Sequence, residues 1–227
     1  MVFFLMSVVS SVVPVQEARA RESGQKPMDK KLTIVAMGDS TTAGTPGWKS
    51  PVEAPPAGSG DETSQYGYWL MQAHPEWTVL NRGVNGERSD QVRGRFERDV
   101  VEARPEIVVL IAGVNDVYQG RSAAQVIEQL RSMYNRAGQA GIRVVAGTII
   151  PYNTATPEQN ARMREINAWI RTQATTDPGI EFVDTRAAVA SAEDPDRLIE
   201  SPDDLHPSAR GYRRMADAIR AVIERLR

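Results

Sequence analysis

Five short apolar runs, rich in β-branched residues and separated by stretches of helical spacing, constrain this 227-residue chain more than any other feature. The runs are Leu32–Met37, Trp77–Leu80, Ile107–Ala112, Arg143–Ile149 and Ile180–Val183. Between and after them lie Ser64–Ala73, Ser89–Val101, Ser122–Ala140, Pro157–Ala174 and Pro207–Leu226, where apolar residues recur with helical period. A strand that is apolar at consecutive positions has no face for water, so it belongs in a parallel sheet covered on both sides. The expected fold class is therefore α/β: a three-layer α/β/α domain with five parallel strands. Local signals agree. Ser122 with Gln125, and Thr156 with Gln159, form capping-box pairs, the second with Pro157 at the first helical position. Gly141 stops the third helix just before the fourth strand.

The first thirty residues follow different rules. Val2 to Val15 is almost uninterruptedly apolar, too short for an ordinary membrane span, and Ala18-Arg19-Ala20 has the small-x-small form of a cleavage site. Residues 1–20 are expected to be a signal peptide and 21–30, polar with Gly24 and Pro27, a linker to the domain at 31–227. No basic residue precedes the apolar run, which leaves an uncleaved amphiphilic tail as the alternative. The expected destination is export, periplasmic or extracellular, with no stable membrane insertion after processing.

Composition removes several function classes. Twenty-seven basic and 29 acidic residues give a net charge of −2, with no electrostatic basis for nucleic acid as a partner. Cysteine is absent, which excludes disulfides, thiolate nucleophiles and cysteine-ligated zinc. Only two histidines occur, His74 and His206, far apart in sequence. Chemistry without metal or other cofactor is expected, and no Walker-type phosphate loop is present.

In a parallel α/β sheet, ligands bind outside the carboxyl ends of the strands. The polar, glycine-rich turns fall on that edge: Gly38-Asp39-Ser40 after the first run, Asn81 to Gly86 after the second, Gly113-Val114-Asn115-Asp116 after the third, and Pro151-Tyr152-Asn153 after the fourth. A serine hydroxyl needs a base to become a nucleophile, and His206 is the available imidazole. Pro207 disfavours helical backbone at His206, so the ring belongs on a loop entering the last helix. Asp203 has the spacing to hold the second ring nitrogen; Asp204 is adjacent, and spacing alone leaves both open. Candidate donors to a developing oxyanion are the Ser40 N–H, the Gly83 N–H and the Asn115 amide. Asp39 and Asp116 suit turn-fixing hydrogen bonds, Thr41 and Thr42 are rival hydroxyls, and His74 reads as structural.

Taken in order, these blocks resemble the SGNH (GDSL) hydrolase superfamily of lipase/esterase type, over residues 32 to about 226. The resemblance implies a flavodoxin-like SGNH hydrolase fold and an ester-hydrolysing serine enzyme. It implies Ser40 as nucleophile, His206 as base, Asp203 as its orienting carboxylate, and Ser40, Gly83 and Asn115 as the oxyanion hole. The expected substrate is a small-molecule or glycan ester, cleaved through an acyl-enzyme. A polysaccharide acetylesterase, or a lysophospholipase or acyl thioesterase, is the alternative; a non-catalytic binding protein of the same fold would lack one of these residues. Trp48, Tyr66, Tyr118 and Tyr152 are candidate stacking faces beside the crevice. Thr45 to Thr63, rich in proline and glycine, is either a lid over the site or a surface insertion without a role.

Overall fold

The computed structural model describes residues 31–227; the expected signal peptide and linker lie outside the described residues. In chain order its strands are β1 (Leu32–Gly38), β2 (Trp48–Lys49), β3 (Ser59–Gly60), β4 (Trp77–Gly83), β5 (Ile107–Ile111), β6 (Arg143–Gly147) and β7 (Ile180–Val183). The helices are α1 (Ser40–Ala43), α2 (Tyr66–Ala73), α3 (Ser89–Gly94), α4 (Val114–Tyr118), α5 (Ala123–Gln139), α6 (Pro157–Thr176), α7 (Thr185–Val189) and α8 (Ala209–Glu224). Five strands form one parallel sheet in the order β4-β1-β5-β6-β7. The chain steps from β1 outward to β4, then crosses back to β5, so the order reverses at β1 and leaves a crevice between the ends of β1 and β5.

Consecutive strand residues serve opposite layers. Val35, Met37, Val108, Leu110, Val144 and Ala146 pack beneath Val126, Leu130 and Met133 of α5 and Met163, Ile166 and Ile170 of α6. Their neighbours Ile34, Ala36, Val109, Ile111 and Val145 pack with Leu70 of α2 and Met215, Ile219 and Val222 of α8. Each valine, leucine, isoleucine or methionine among them contributes roughly 1.5–3 kcal/mol on burial. This double use is why the strands are apolar without alternation. The three longest helices are capped by side chains: Ser122 accepts from the Gln125 N–H, Thr156 from Gln159, and Ser208 from Gly211.

Several boundaries differ from the sequence expectation. β4 continues through Asn81, Arg82 and Gly83, because these polar residues still pair with Ala36, Met37 and Gly38 of β1. β5 ends at Ile111 and β6 at Gly147. The expected helix 89–101 is α3 followed by a wider π-helical turn at Glu97–Val101, and that at 64–73 is a 3-10 turn at Glu62–Ser64 followed by α2. The last helix begins at Ala209, with Ser208 as its cap, instead of at Pro207.

The segment from 45 to 63 is not structureless. β2 and β3 pair as a small antiparallel ribbon, and Asp61 caps the 3-10 turn by accepting the Thr63 N–H. Trp48 is buried within this segment, against which Gly58 packs so closely that a side chain there would meet the indole. Among the described residues, no helix is long and apolar enough to cross a membrane.

Candidate active site

β1 delivers Ser40 to the crevice through a one-residue junction. Asp39 ends the strand and caps α1, its Oδ1 accepting the Thr41 N–H at 3.0 Å, while Gly44, left-handed at φ 109°, closes the turn. Ser40 is thus the first residue of a short helix packed against the sheet. That close packing depends on two glycines. Gly38 and Gly83 lie side by side in the β1–β4 register, and a Cβ on Gly83 would overlap the backbone of Ala43. Arg95 stitches the same strand ends from below, donating to the carbonyls of Gly38 at 2.9 Å and Arg82 at 2.6 Å while its charge is met by Glu87 and Asp99.

The loop before α8 brings the only imidazole of this region to Ser40. His206 Nε2 lies 2.9 Å from Ser40 Oγ, across 166 residues of sequence, and Nδ1 lies 2.7 Å from Asp203 Oδ2. Burial by itself would raise the Asp203 carboxyl. The His206 ring and the N–H groups of His206 and Leu205 outweigh it and hold the group below the ordinary carboxylate range. An ionised carboxylate only accepts hydrogen bonds, so Nδ1 carries the ring proton. Nε2 is then left with its lone pair facing the serine hydroxyl, the tautomer in which a proton can leave Ser40 for His206. Asp203 is therefore the imidazole's partner. The Asp204 carboxylate points elsewhere, accepting from Asn153 Nδ2 at 2.9 Å. Of the neighbouring hydroxyls, Thr42 accepts a hydrogen bond from Tyr66, and neither threonine meets the imidazole.

A cavity of about 180 Å³ opens beside Ser40, lined by Thr41, Asn85, Val114, Asn115, Tyr118, Tyr152, Leu205 and His206. Asn115 sits in the first turn of α4 and gives one amide hydrogen to the Glu87 carbonyl at 2.9 Å. An amide nitrogen has two, so a second donor remains on the cavity residue. Gly83 is different: it does not line the cavity, and its N–H is already given to Asn81 Oδ1 at 2.9 Å. Of the four aromatic candidates, Tyr118 and Tyr152 line the cavity, edge to face at 6.0 Å. Tyr66 and Trp48 do not: the Tyr66 hydroxyl is engaged with Thr42, and Trp48 packs within the 45–63 segment. His74 lies outside the site, stacked on Trp77 and bonded to Glu76 and Glu224.

Among the described residues, the segment 45–63 supplies none of those lining the cavity. It has a role all the same. Ser50 Oγ donates to the Gly83 carbonyl at 2.6 Å, and Glu53 accepts from the Ser50 and Asn85 N–H groups. The segment is a buttress behind β4. Sequence reading did not find Asn85, Val114 or Leu205 as lining residues; their adjacency to the glycine-rich turns and to His206 was the available signal.

Asp39 and Asp116 are both buried and fix their turns, Asp116 by accepting the Ser89 N–H and hydroxyl at 2.7 and 2.9 Å. Burial pushes the Asp39 carboxyl up to about 7, against the hydrogen bonds from Thr41 and with help from the nearby charge of Asp116. A carboxyl raised in the fold holds a proton that the unfolded chain has released, so its contribution to stability falls as pH rises from about 4 to about 7 and levels off above. Asp39→Asn keeps an acceptor for Thr41 but cannot ionise. Its stability relative to the parent should therefore increase between about pH 5 and about pH 8, read from urea midpoints. A difference that stays flat or shrinks over that interval contradicts the buried, proton-holding carboxyl.

The model of the GDSL-like lipase/acylhydrolase family matches residues 36–214. An acetylxylan esterase of Geobacillus stearothermophilus is 29% identical over 167 residues, covering 66% of this chain and 74% of that protein. The alpha1 subunit of the Homo sapiens platelet-activating factor acetylhydrolase IB is 26% identical over 151 residues, covering 65% of this chain and 64% of its own length. Among solved structures, a member of the lipolytic G-D-S-L family from Veillonella parvula superposes with a TM-score of 0.71 at 22% identity, over 85% of this chain and 98% of that one. A GDSL-like lipase from Bacteroides thetaiotaomicron gives a TM-score of 0.68 at 22% identity, over 93% and 97%. At this identity the structural matches bear on the fold.

Proposed function

Because the chain belongs to the GDSL-like lipase/acylhydrolase family, a family of ester-hydrolysing enzymes, we propose that it is a serine esterase acting on short-chain acyl esters through an acyl-enzyme. The reading rests on one observation above all: the unbroken chain of hydrogen bonds from Ser40 Oγ through His206 to Asp203. Ser40 Oγ bonds to the ester carbonyl carbon as its proton passes to His206 Nε2. The C–O bond to the alcohol then breaks, and the same proton goes to the leaving oxygen. Water repeats the sequence on the acyl-serine, giving the acid and restoring the hydroxyl.

Charge that collects on the carbonyl oxygen would be met by the Ser40 N–H and the free amide hydrogen of Asn115. Gly83 would join by sharing the N–H now given to Asn81. Each such donor lowers the barrier by about 2.7–4 kcal/mol.

The acyl size follows from the cavity. About 180 Å³ is well below the roughly 300–1,000 Å³ of pockets that enclose a drug-sized ligand, and Val114, Leu205 and the two tyrosines give it an apolar wall. The acetylxylan esterase and the platelet-activating factor acetylhydrolase subunit are both named for acetyl esters, in keeping with a short acyl group. A glycan acetyl ester is the second reading, favoured by Tyr118, a cavity-lining residue that is 60% exposed and could serve as a platform for a sugar. The apolar segment Val2–Val15 supports an exported enzyme, which would meet glycan esters and not coenzyme A thioesters.

Turnover of nitrophenyl esters should peak at the shortest acyl chains and fall about 10-fold or more per added methylene once the cavity is full. An organophosphonate should label Ser40 and stop hydrolysis together. A rise in kcat/KM up to octanoate refutes the short-acyl reading, and full activity with an unlabelled, phosphonate-resistant Ser40 refutes the serine mechanism. Acetate release from acetylated xylan, compared with nitrophenyl acetate, decides the second reading.

A further inference from the structure

The loop that carries Asp203 and His206 is held to the scaffold in an unusual way. Among the described residues, the hydrogen bonds from 202–206 to anything beyond their own loop are three. One is the bond from His206 to Ser40. The other two come from Asn153, whose backbone N–H donates to the Asp204 carbonyl at 2.8 Å and whose Nδ2 donates to Asp204 Oδ1 at 2.9 Å. The remaining contacts are internal: Ser201 Oγ donates to the His206 carbonyl, and Asp203 Oδ1 accepts from the Leu205 and His206 N–H groups.

Asn153 itself is well anchored. It follows Tyr152 on the segment leaving β6, its Oδ1 accepts the Leu198 N–H at 2.9 Å, and its carbonyl accepts from Arg197 at 3.1 Å. The residue it grips is a strained one. Asp204 has φ 63°, one of two left-handed non-glycine residues among those described. Such backbone is disfavoured for any residue with a Cβ, though aspartate tolerates it better than most. The turn at 204 goes with an arrangement in which Asp203 accepts from the N–H groups of Leu205 and His206 and bonds to the ring of His206.

We propose that Asn153 is a positioning residue: by clamping Asp204 in its left-handed turn, it fixes the direction of Asp203 and His206 toward Ser40. The inference rests on the serine-esterase reading and adds to it a residue that touches neither substrate nor reacting atoms. Without the side-chain clamp, the loop keeps only the Asn153 backbone bond to the Asp204 carbonyl and the contact to Ser40, which must break and re-form in each cycle.

Asn153→Ala should lower kcat by up to about 100-fold, the order expected when a catalytic group is misplaced by about an ångström, with KM changed less than about 2-fold. Glycine takes left-handed backbone without cost, so Asp204→Gly alone should keep most of the parent activity. The double variant Asn153→Ala/Asp204→Gly should recover most of the kcat that Asn153→Ala loses. A merely structural asparagine would give no such rescue. Unchanged kcat in Asn153→Ala, or a loss that glycine at 204 fails to restore, overturns the proposal.

A second readout stands apart from turnover. The far-downfield proton NMR resonance of the His206 Nδ1–H, assigned by its disappearance in His206→Ala, should be present in the parent, broadened or lost in Asn153→Ala and regained in the double variant. If the parent hydrolyses no ester but the resonance behaves this way, the esterase reading fails while the clamp stands. If the resonance ignores Asn153, the clamp fails whatever the activity.

Discussion

His206→Ala and Ser40→Ala are each expected to lower kcat by about 10,000-fold or more, and the double variant to be no slower than either alone. On the proposed mechanism the two groups act as one. Ser40 Oγ is a weak nucleophile until Nε2, 2.9 Å away, takes its proton, and Nε2 has no proton to take from any other hydroxyl it meets. Removing either partner abolishes the same step, so their effects cannot multiply. Both variants should fold normally, since Ser40 and His206 contribute no core packing. Independent, multiplying losses in the double variant would mean that the two side chains serve different steps, and the coupled proton transfer would have to be abandoned.

Gly83→Ala is expected to cost at least about 3 kcal/mol of stability, beyond the usual range for overpacking, and most of the activity with it. A Cβ at Gly83 would stand 2.5 Å from the Ala43 Cα and 2.6 Å from the Thr42 carbonyl carbon. These are backbone atoms, which cannot rotate away as a side-chain tip can. α1 would have to lift from β4, and Ser40 is its first residue. For a domain of this size the expected loss in midpoint temperature is about 6–12 °C. Gly83 has no positive φ, so backbone torsion does not compete as an explanation. A variant as stable as the parent would show that α1 does not rest on this glycine.

Much of this arrangement was readable from residues alone, and the failures have physical causes. The five strands declare themselves because both faces are dry, so nothing polar interrupts Ile107 to Ile111. β4 hides its last turn because Asn81 is buried yet polar. Its amide is satisfied by the Ala43 carbonyl and Gln65 Oε1, partners remote in sequence. Trp48 and Tyr66 looked like crevice aromatics because an aromatic near a loop carries no mark of which way it faces. The proline- and glycine-rich stretch after Thr45 revealed its lack of long elements, but its work lies in the bond Ser50 donates to β4 and the one Glu53 accepts from Asn85, which composition does not encode. Asn153 escaped notice for a related reason, since its importance comes from a backbone torsion at Asp204.

Ser40 leaves the first strand, and His206 precedes the final helix. In a refolding experiment the recovery of turnover therefore measures closure of the entire domain, since no hairpin or helical pair contains both halves of the chemistry. Synthesis has the same polarity: Ser40 is made well before His206, and on the proposed mechanism it lacks its base until the segment ahead of α8 has emerged.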